Sequence, residues 1–224
     1  MNITHELEEY KRMCRTWHTR CNGAYYYSKE ICRNIMPKVK TDRHWVTIKA
    51  GERCIDHSLV FIHNNLNPQR YKFLHYYKDL VLVCGVPGTC GKVASFGKAI
   101  YLPLSVDVEE VKKHRQPKTR ELAFAGRKAK MTGFSFPEGT DFLYGMNRER
   151  LLDEMAKYKK VFAVGRTAIE AKILGCEVLP YDPRFPDPDV WKIIDNREAA
   201  AMLQTILDKI DGKGRQDDQK GAGS

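Results

Sequence analysis

Gly165, Arg166 and Thr167 stand immediately before a run of helical spacing. Backbone N–H groups at a helix start form an anion site, and a glycine there keeps a side chain out of the ligand's way. Arg166 adds a cation able to make a charge-assisted hydrogen bond. Glu170 lies on the same helix; an acid near a helix start is also explained by the helix dipole, worth about 0.3–1 kcal/mol. Arg127, Lys128 and Lys130 follow the apolar residues 122–125, a grouping that suits either a phosphate or a solvated loop. His63, followed by Asn64 and Asn65, closes the apolar residues 59–62. In open α/β sheets the carboxyl ends of strands border the ligand crevice, so these three side chains are candidates for ligand contact.

Residues 81–93 read VLVCGVPGTCGKV, an apolar run entering a Gly-rich loop with Gly-Lys. A nucleotide-binding P-loop needs GxxxxGK followed by Ser or Thr. Here Gly85 lies one residue too far from Gly91, and Val93 replaces the hydroxyl. The chain is expected to re-enter a strand there, so the P-loop reading is set aside.

The elements that must position these residues follow from apolar runs and turn residues. Residues 45–48, 59–62, 80–83 and 99–102 read as buried parallel strands, short and rich in Val, Ile and Leu. Helical spacing covers 4–18, 25–35 and 68–77, the last with Pro68 at its first turn. In the second half, strands are expected at 122–125, 142–144, 160–164 and 178–181. Helices are expected at 148–158, 167–174 and 196–210. Alternation at this pace predicts βαβ units, parallel sheets and an α/β fold. The pattern lapses near 107–118, which divides the chain into a unit over 1–110 and a second over 111–210, with the final helix beside the second unit. Residues 211–224 are polar and Gly-rich and are expected to be a disordered tail.

Composition narrows the setting. Seven cysteines, at 14, 21, 32, 54, 84, 90 and 176, form no CxxC pair, which argues for reduced thiols and against structural zinc. No apolar stretch approaches the roughly 20 residues of a membrane span, and the first ten residues do not read as a signal peptide. A cytoplasmic protein is expected, with peripheral association to an anionic membrane left open. The formal net charge is +10, and residues 111–130 hold eight Lys or Arg against Glu121 alone. That run reads as a solvated linker followed by a phosphate-facing loop.

Four blocks, spanning about 120 residues in order, together resemble the GT-B glycosyltransferases, especially the retaining group that uses nucleotide-diphosphate sugars. They are residues 59–65 (LVFIHNN), 99–107 (AIYLPLSVD), 122–127 (LAFAGR) and 161–179 (VFAVGRTAIEAKILGCEVL). The resemblance implies two Rossmann-like domains facing across a cleft, the first one reduced, with the donor held by the second. It implies that Glu170 accepts hydrogen bonds from the donor ribose, meeting it at the cleft and not in the core. Arg127, with Lys128 or Lys130, would neutralise the departing diphosphate, and Gly165, Arg166 and Thr167 would cradle it. His63 would contact the transferred sugar, with Asn64 and Asn65 beside it. It implies no cofactor and no required metal; such enzymes lack an obvious side-chain base, and none is assigned. The donor is expected to be a UDP-sugar and the acceptor a cell-surface glycan, a lipid-linked glycan or a modified DNA base. Two departures stand out. Phe162 occupies the position of the family's first glutamate, and the usual first strand and Gly-Gly loop are missing, unless Gly23 marks a remnant of that loop. These departures also fit a non-catalytic relative that binds a nucleotide or a partner without turnover.

Overall fold

In a computed structural model, the described residues are 23–47, 54–62, 68–86, 88–127 and 133–212. Short runs bounded by turns form two separate four-stranded sheets, both parallel throughout. The chain is therefore α/β, as expected, and each sheet is compatible with a Rossmann-like half. The expected helix at 4–18 and nearly all of the expected tail lie outside the described residues.

The first sheet holds β1 (His44–Thr47), β2 (Ser58–Ile62), β3 (Val81–Cys84) and β4 (Lys98–Tyr101), in that order. Every residue of β2 and β3 is buried, because the sheet is covered on both sides. Leu59, Phe61, Val81 and Val83 face a core that includes Tyr27, Ile31 and Ile35 from α1 (Gly23–Glu30) and the turns that continue it. Val60, Ile62, Leu82 and Cys84 face Tyr71 and Leu74 of the 3-10 helix Pro68–Tyr76, and Val93 of α2 (Thr89–Val93). That one-turn helix corrects the expectation of a direct return to a strand after the Gly-rich loop. Gly97 then brings β4 in against its neighbour: a Cβ there would sit 2.7 Å from the Leu80 carbonyl oxygen.

The second sheet runs β6 (Asp141–Leu143), β5 (Arg120–Ala125), β7 (Tyr158–Phe162), β8 (Glu177–Leu179). From β5 the chain moves outward to β6, then crosses back through α4 (Arg148–Met155) to β7 on the other side of β5. The order reverses between β5 and β7, and in open α/β sheets the crevice for a ligand lies beyond the carboxyl ends of the strands at such a reversal. One face packs Ala123, Ala125 and Val161 against α4, α5 (Arg166–Ile173) and α6 (Asn196–Ile210). The opposite face carries Phe124 and Phe162, and rings from outside the sheet cover it: Phe134, Phe136, Tyr181 and Phe185. Phe136 meets Phe124 at 5.0 Å between centroids and Phe162 at 5.4 Å, both edge-on. The expected helix at 148–158 stops at Met155, because Tyr158 opens β7 and is fully buried.

Backbone hydrogen bonds and α6 join the halves. Val106 N–H donates to Ile194 O and Asn196 N–H to Val106 O, both at 3.2 Å. The α6 helix has the expected bounds, with Asp195 accepting from Arg197 N–H as its cap. It does not simply lie beside the second half. Its apolar stripe of Ala199, Ala200, Leu203 and Leu207 shares a core with Ile31, Ile35 and Met36, and α6 packs on the turns Ile31–Ile35 and Met36–Lys38 of the first half. Gln204 and Lys40 exchange two hydrogen bonds, and buried Arg43 holds Asp211 at 2.7 Å beyond the end of α6. No helix among the described residues is long and apolar enough to cross a membrane.

Over residues 111–120 the basic run is neither a bare linker nor a diffuse cationic surface. Its start belongs to α3 (Val108–Lys112), capped by Asp107. Lys112 pairs with Glu109 and Lys113 with Glu110. Arg115 donates to Ile173 O, and Arg120 to the Tyr158 hydroxyl. Lys118 donates to Ala156 O and Leu174 O, both at 2.9 Å. Those carbonyls end α4 and α5, where a cation also opposes the negative pole of each helix. Lys118→Met should therefore lower unfolding free energy in urea by about 2–3 kcal/mol, the value of one or two charge-assisted hydrogen bonds. Lys112→Met, which breaks only an exposed pair, should change it by less than about 1 kcal/mol.

Candidate functional site

The crevice end of the second sheet is shaped by Gly165. It caps α5 with φ 64° and ψ −137°, a conformation that side-chain-bearing residues rarely adopt. Among the described residues a Cβ there would have only Leu104 near it, at 4.0 Å, so backbone strain and not crowding demands the glycine. The turn lets Arg166, the first residue of α5, point toward the first half of the chain.

Arg166 Nε donates to Glu170 Oε1 at 2.9 Å, one helical turn further on. Arg148, the first residue of α4, donates its Nε to the same oxygen at 3.0 Å. Arg166 Nη2 reaches Glu30 Oε1 at 2.7 Å, joining residues 136 apart in sequence. The other Glu30 oxygen accepts from Asn34 at 2.5 Å and Asn196 at 2.6 Å, and the Asn196 amide oxygen accepts from Ser105 at 2.9 Å. The Tyr26 ring lies 5.6 Å from the Arg148 guanidinium carbon and 5.5 Å from that of Arg166, within cation–π range. Glu30 is 6% exposed and Glu170 3%. Two cations and two carboxylates thus balance in a space nearly closed to water.

Burial alone would raise the Glu30 pKa, but the Arg166 charge and the hydrogen bonds from Arg166, Asn34 and Asn196 outweigh it and hold the carboxyl below its ordinary value. Burial likewise works against the Arg166 charge, and Glu170 and Glu30 more than offset it. The balance is not complete in hydrogen bonds. Arg148 Nη2 and Arg166 Nη1 are buried without a partner among the described residues. Unmade bonds from buried charged donors are costly, so these two groups offer themselves to an anion with acceptor oxygens. Ser105 donates to an amide oxygen and not to a base, so the cluster is no nucleophile–base pair.

The residues singled out from sequence distribute as follows. Gly165, Arg166, Thr167 and Glu170 share α5 at the crevice. Arg127 follows β5, exposed and without an ion pair or hydrogen bond among the described residues, at the neighbouring strand end. Gly23 opens α1, one turn before Tyr26, whose ring lies against the arginine pair. Lys128, Lys130, His63, Asn64 and Asn65 lie outside the described residues; the last three follow the end of β2. Glu170 is the fifth residue of α5, beyond the first turn, so its ion pairs and not the helix dipole account for it. It is also a core residue, against the expectation of an open cleft position. Phe162, where the family's first glutamate would stand, is a 6% exposed member of the aromatic face, where a carboxylate would be buried among rings. Glu30, Arg148, Tyr26 and Asn196 went unnoticed in the sequence. Asn196 is legible there only as a helix start, and no local pattern marks the other three.

Glu170→Ala would leave two buried guanidinium groups short of a counter-charge. It should destabilise the protein by about 3–5 kcal/mol in chemical denaturation, the usual result of breaking a buried ion pair. Glu30 gives a pH signature. Its folded-state pKa is depressed, so its stabilisation is complete above the ordinary glutamate value of 4.5 and is lost as pH falls below that through the folded value. The melting-temperature gap between wild type and Glu30→Gln should be constant near neutral pH and close in that acid window.

Compared with known proteins, the chain matches no family model, no curated protein and no solved structure.

Proposed function

We propose that this protein transfers a sugar from a nucleotide-diphosphate sugar, a UDP-sugar in the first instance, to a glycan acceptor. The observation that carries the reading is the strand reversal between β5 and β7: Arg127 follows β5, and Gly165 with the start of α5 follows the adjacent β7. The four blocks that resemble GT-B enzymes support it by the elements they form. Residues 59–62 of the first lie in β2; the second is β4 and the crossing to the other sheet. The third is β5, and the fourth is the unit β7–α5–β8. In this reading the two halves are Rossmann-like domains facing across a cleft, and the donor lies against the second.

The chemistry follows from the charges. A diphosphate at the start of α5 meets backbone N–H groups and the Arg166 and Arg148 donors. Negative charge on the diphosphate grows as the glycosidic bond breaks, and exposed Arg127 is free to meet it. No metal is required by this scheme, since chain cations supply the compensation. Duplex DNA is the weaker acceptor, because the basic residues at 112–120 are committed to pairs and helix ends. One observation favours a second reading, a nucleotide binder without turnover: Phe162, at the position of the family's first glutamate, is buried in the aromatic face.

Arg127→Ala decides between them. In a donor-hydrolysis or transfer assay with UDP-sugars, kcat should fall about a hundredfold or more with little change in KM, as for loss of a donor that acts in the transition state. Raising the salt concentration should leave that ratio nearly unchanged. Tight UDP binding by wild type, with neither hydrolysis nor transfer over a panel of donors and glycans, would instead support the binder.

A further inference from the structure

Glu30 ends α1 in the first half of the chain, and its carboxylate sits on Arg166 of the second half at 2.7 Å. The contact is well supported on the Glu30 side. Asn34 and Asn196 hold the second oxygen, and Ser105 in turn holds Asn196. The helix bearing Glu30 continues directly as the π-helical turn Ile31–Ile35, a distortion often found at functional positions. Arg166 already has Glu170 as a counter-ion from its own helix, so Glu30 is a second anion on one guanidinium. Even so, Nη1 of Arg166 and Nη2 of Arg148 remain buried and without a partner among the described residues. A phosphate oxygen reaching those donors would approach the Glu30 carboxylate and be repelled by it.

We infer that Glu30 is an autoinhibitory contact: its carboxylate occupies Arg166 in place of a ligand phosphate and latches α1 against α5 until a diphosphate displaces it. The inference rests on the donor reading above and adds to it the residue that opposes binding. Removing the Glu30 charge while keeping its shape leaves Arg166 with one counter-ion and strengthens its demand for an external anion.

The probe is UDP, titrated calorimetrically into the whole protein, with thermal unfolding measured alongside. Glu30→Gln should bind UDP about tenfold more tightly than wild type. UDP should also raise its melting temperature by more than it raises that of wild type. Glu30→Asp, which withdraws the carboxylate by one methylene, should fall between the two, and it carries the test if Glu30→Gln does not fold. Glu121→Gln makes the same change of charge at the exposed pair with Lys159 and should leave affinity unchanged. UDP binding to wild type with no gain in either Glu30 variant, or with an equal gain in Glu121→Gln, overturns the latch and leaves the donor reading standing. Failure of UDP to bind any of these proteins overturns the donor reading, and the latch with it.

Discussion

The grip of Arg148 and Arg166 on a single oxygen of Glu170, with Glu30 closing the array from the other half, is the interaction on which the junction of this molecule depends. Four charges have been taken out of water there, and each is tolerable only because the others remain. Such arrays contribute little net stability compared with an apolar core of the same volume, but breaking one member is expensive. The array therefore specifies how α1, α4 and α5 meet more than it strengthens them. Asn196 extends it to α6, and Ser105 to the segment that crosses between the sheets.

Around that junction the two sheets are built differently. The first has helical turns on both faces, so β2 and β3 are buried at every position. Among the described residues, the second has α4, α5 and α6 packed on one face. On the other, rings of Phe134, Phe136, Tyr181 and Phe185 replace a helical layer. Edge-on contacts between rings suit this thin cover, because the positive edge of one ring meets the negative face of the next. Phe142 and Tyr144 remain 43% exposed near its border. The helices gathered on the opposite face carry the site: α5 begins at the strand reversal, and α4 delivers Arg148 to it.

Charge is used locally in this protein. A net charge of +10 and a basic run of eight residues invite the picture of a polyanion-binding face. Yet Lys118 ends two helices, Arg115 ends one of them as well, and Lys112 and Lys113 are matched by acids three residues earlier. Arg127 differs because it stands past the end of β5 at the crevice, with no acid set against it among the described residues. The same type of side chain is thus structural at one position and available at another, according to which carbonyl or carboxylate the fold brings near.

The α/β class, most of the strands and the exact limits of α6 were legible in the sequence. Those features depend on residues within a few positions of each other: apolar runs for β2 and β3, the Asp195–Asn196 cap for α6, and Gly165 before α5. The nearness of Gly165, Arg166, Thr167 and Glu170 was legible for the same reason, since one helix holds them all. Only the tertiary structure decided that Glu170 is a buried counter-ion, that Glu30 reaches Arg166 across 136 residues, and that α6 docks on the first half. It also decided the order β6-β5-β7-β8, and with it the position of the crevice. Helix caps and apolar periodicity are local interactions that a chain writes in consecutive residues. The pairing of a buried charge depends on which distant element covers it, and no run of neighbours records that.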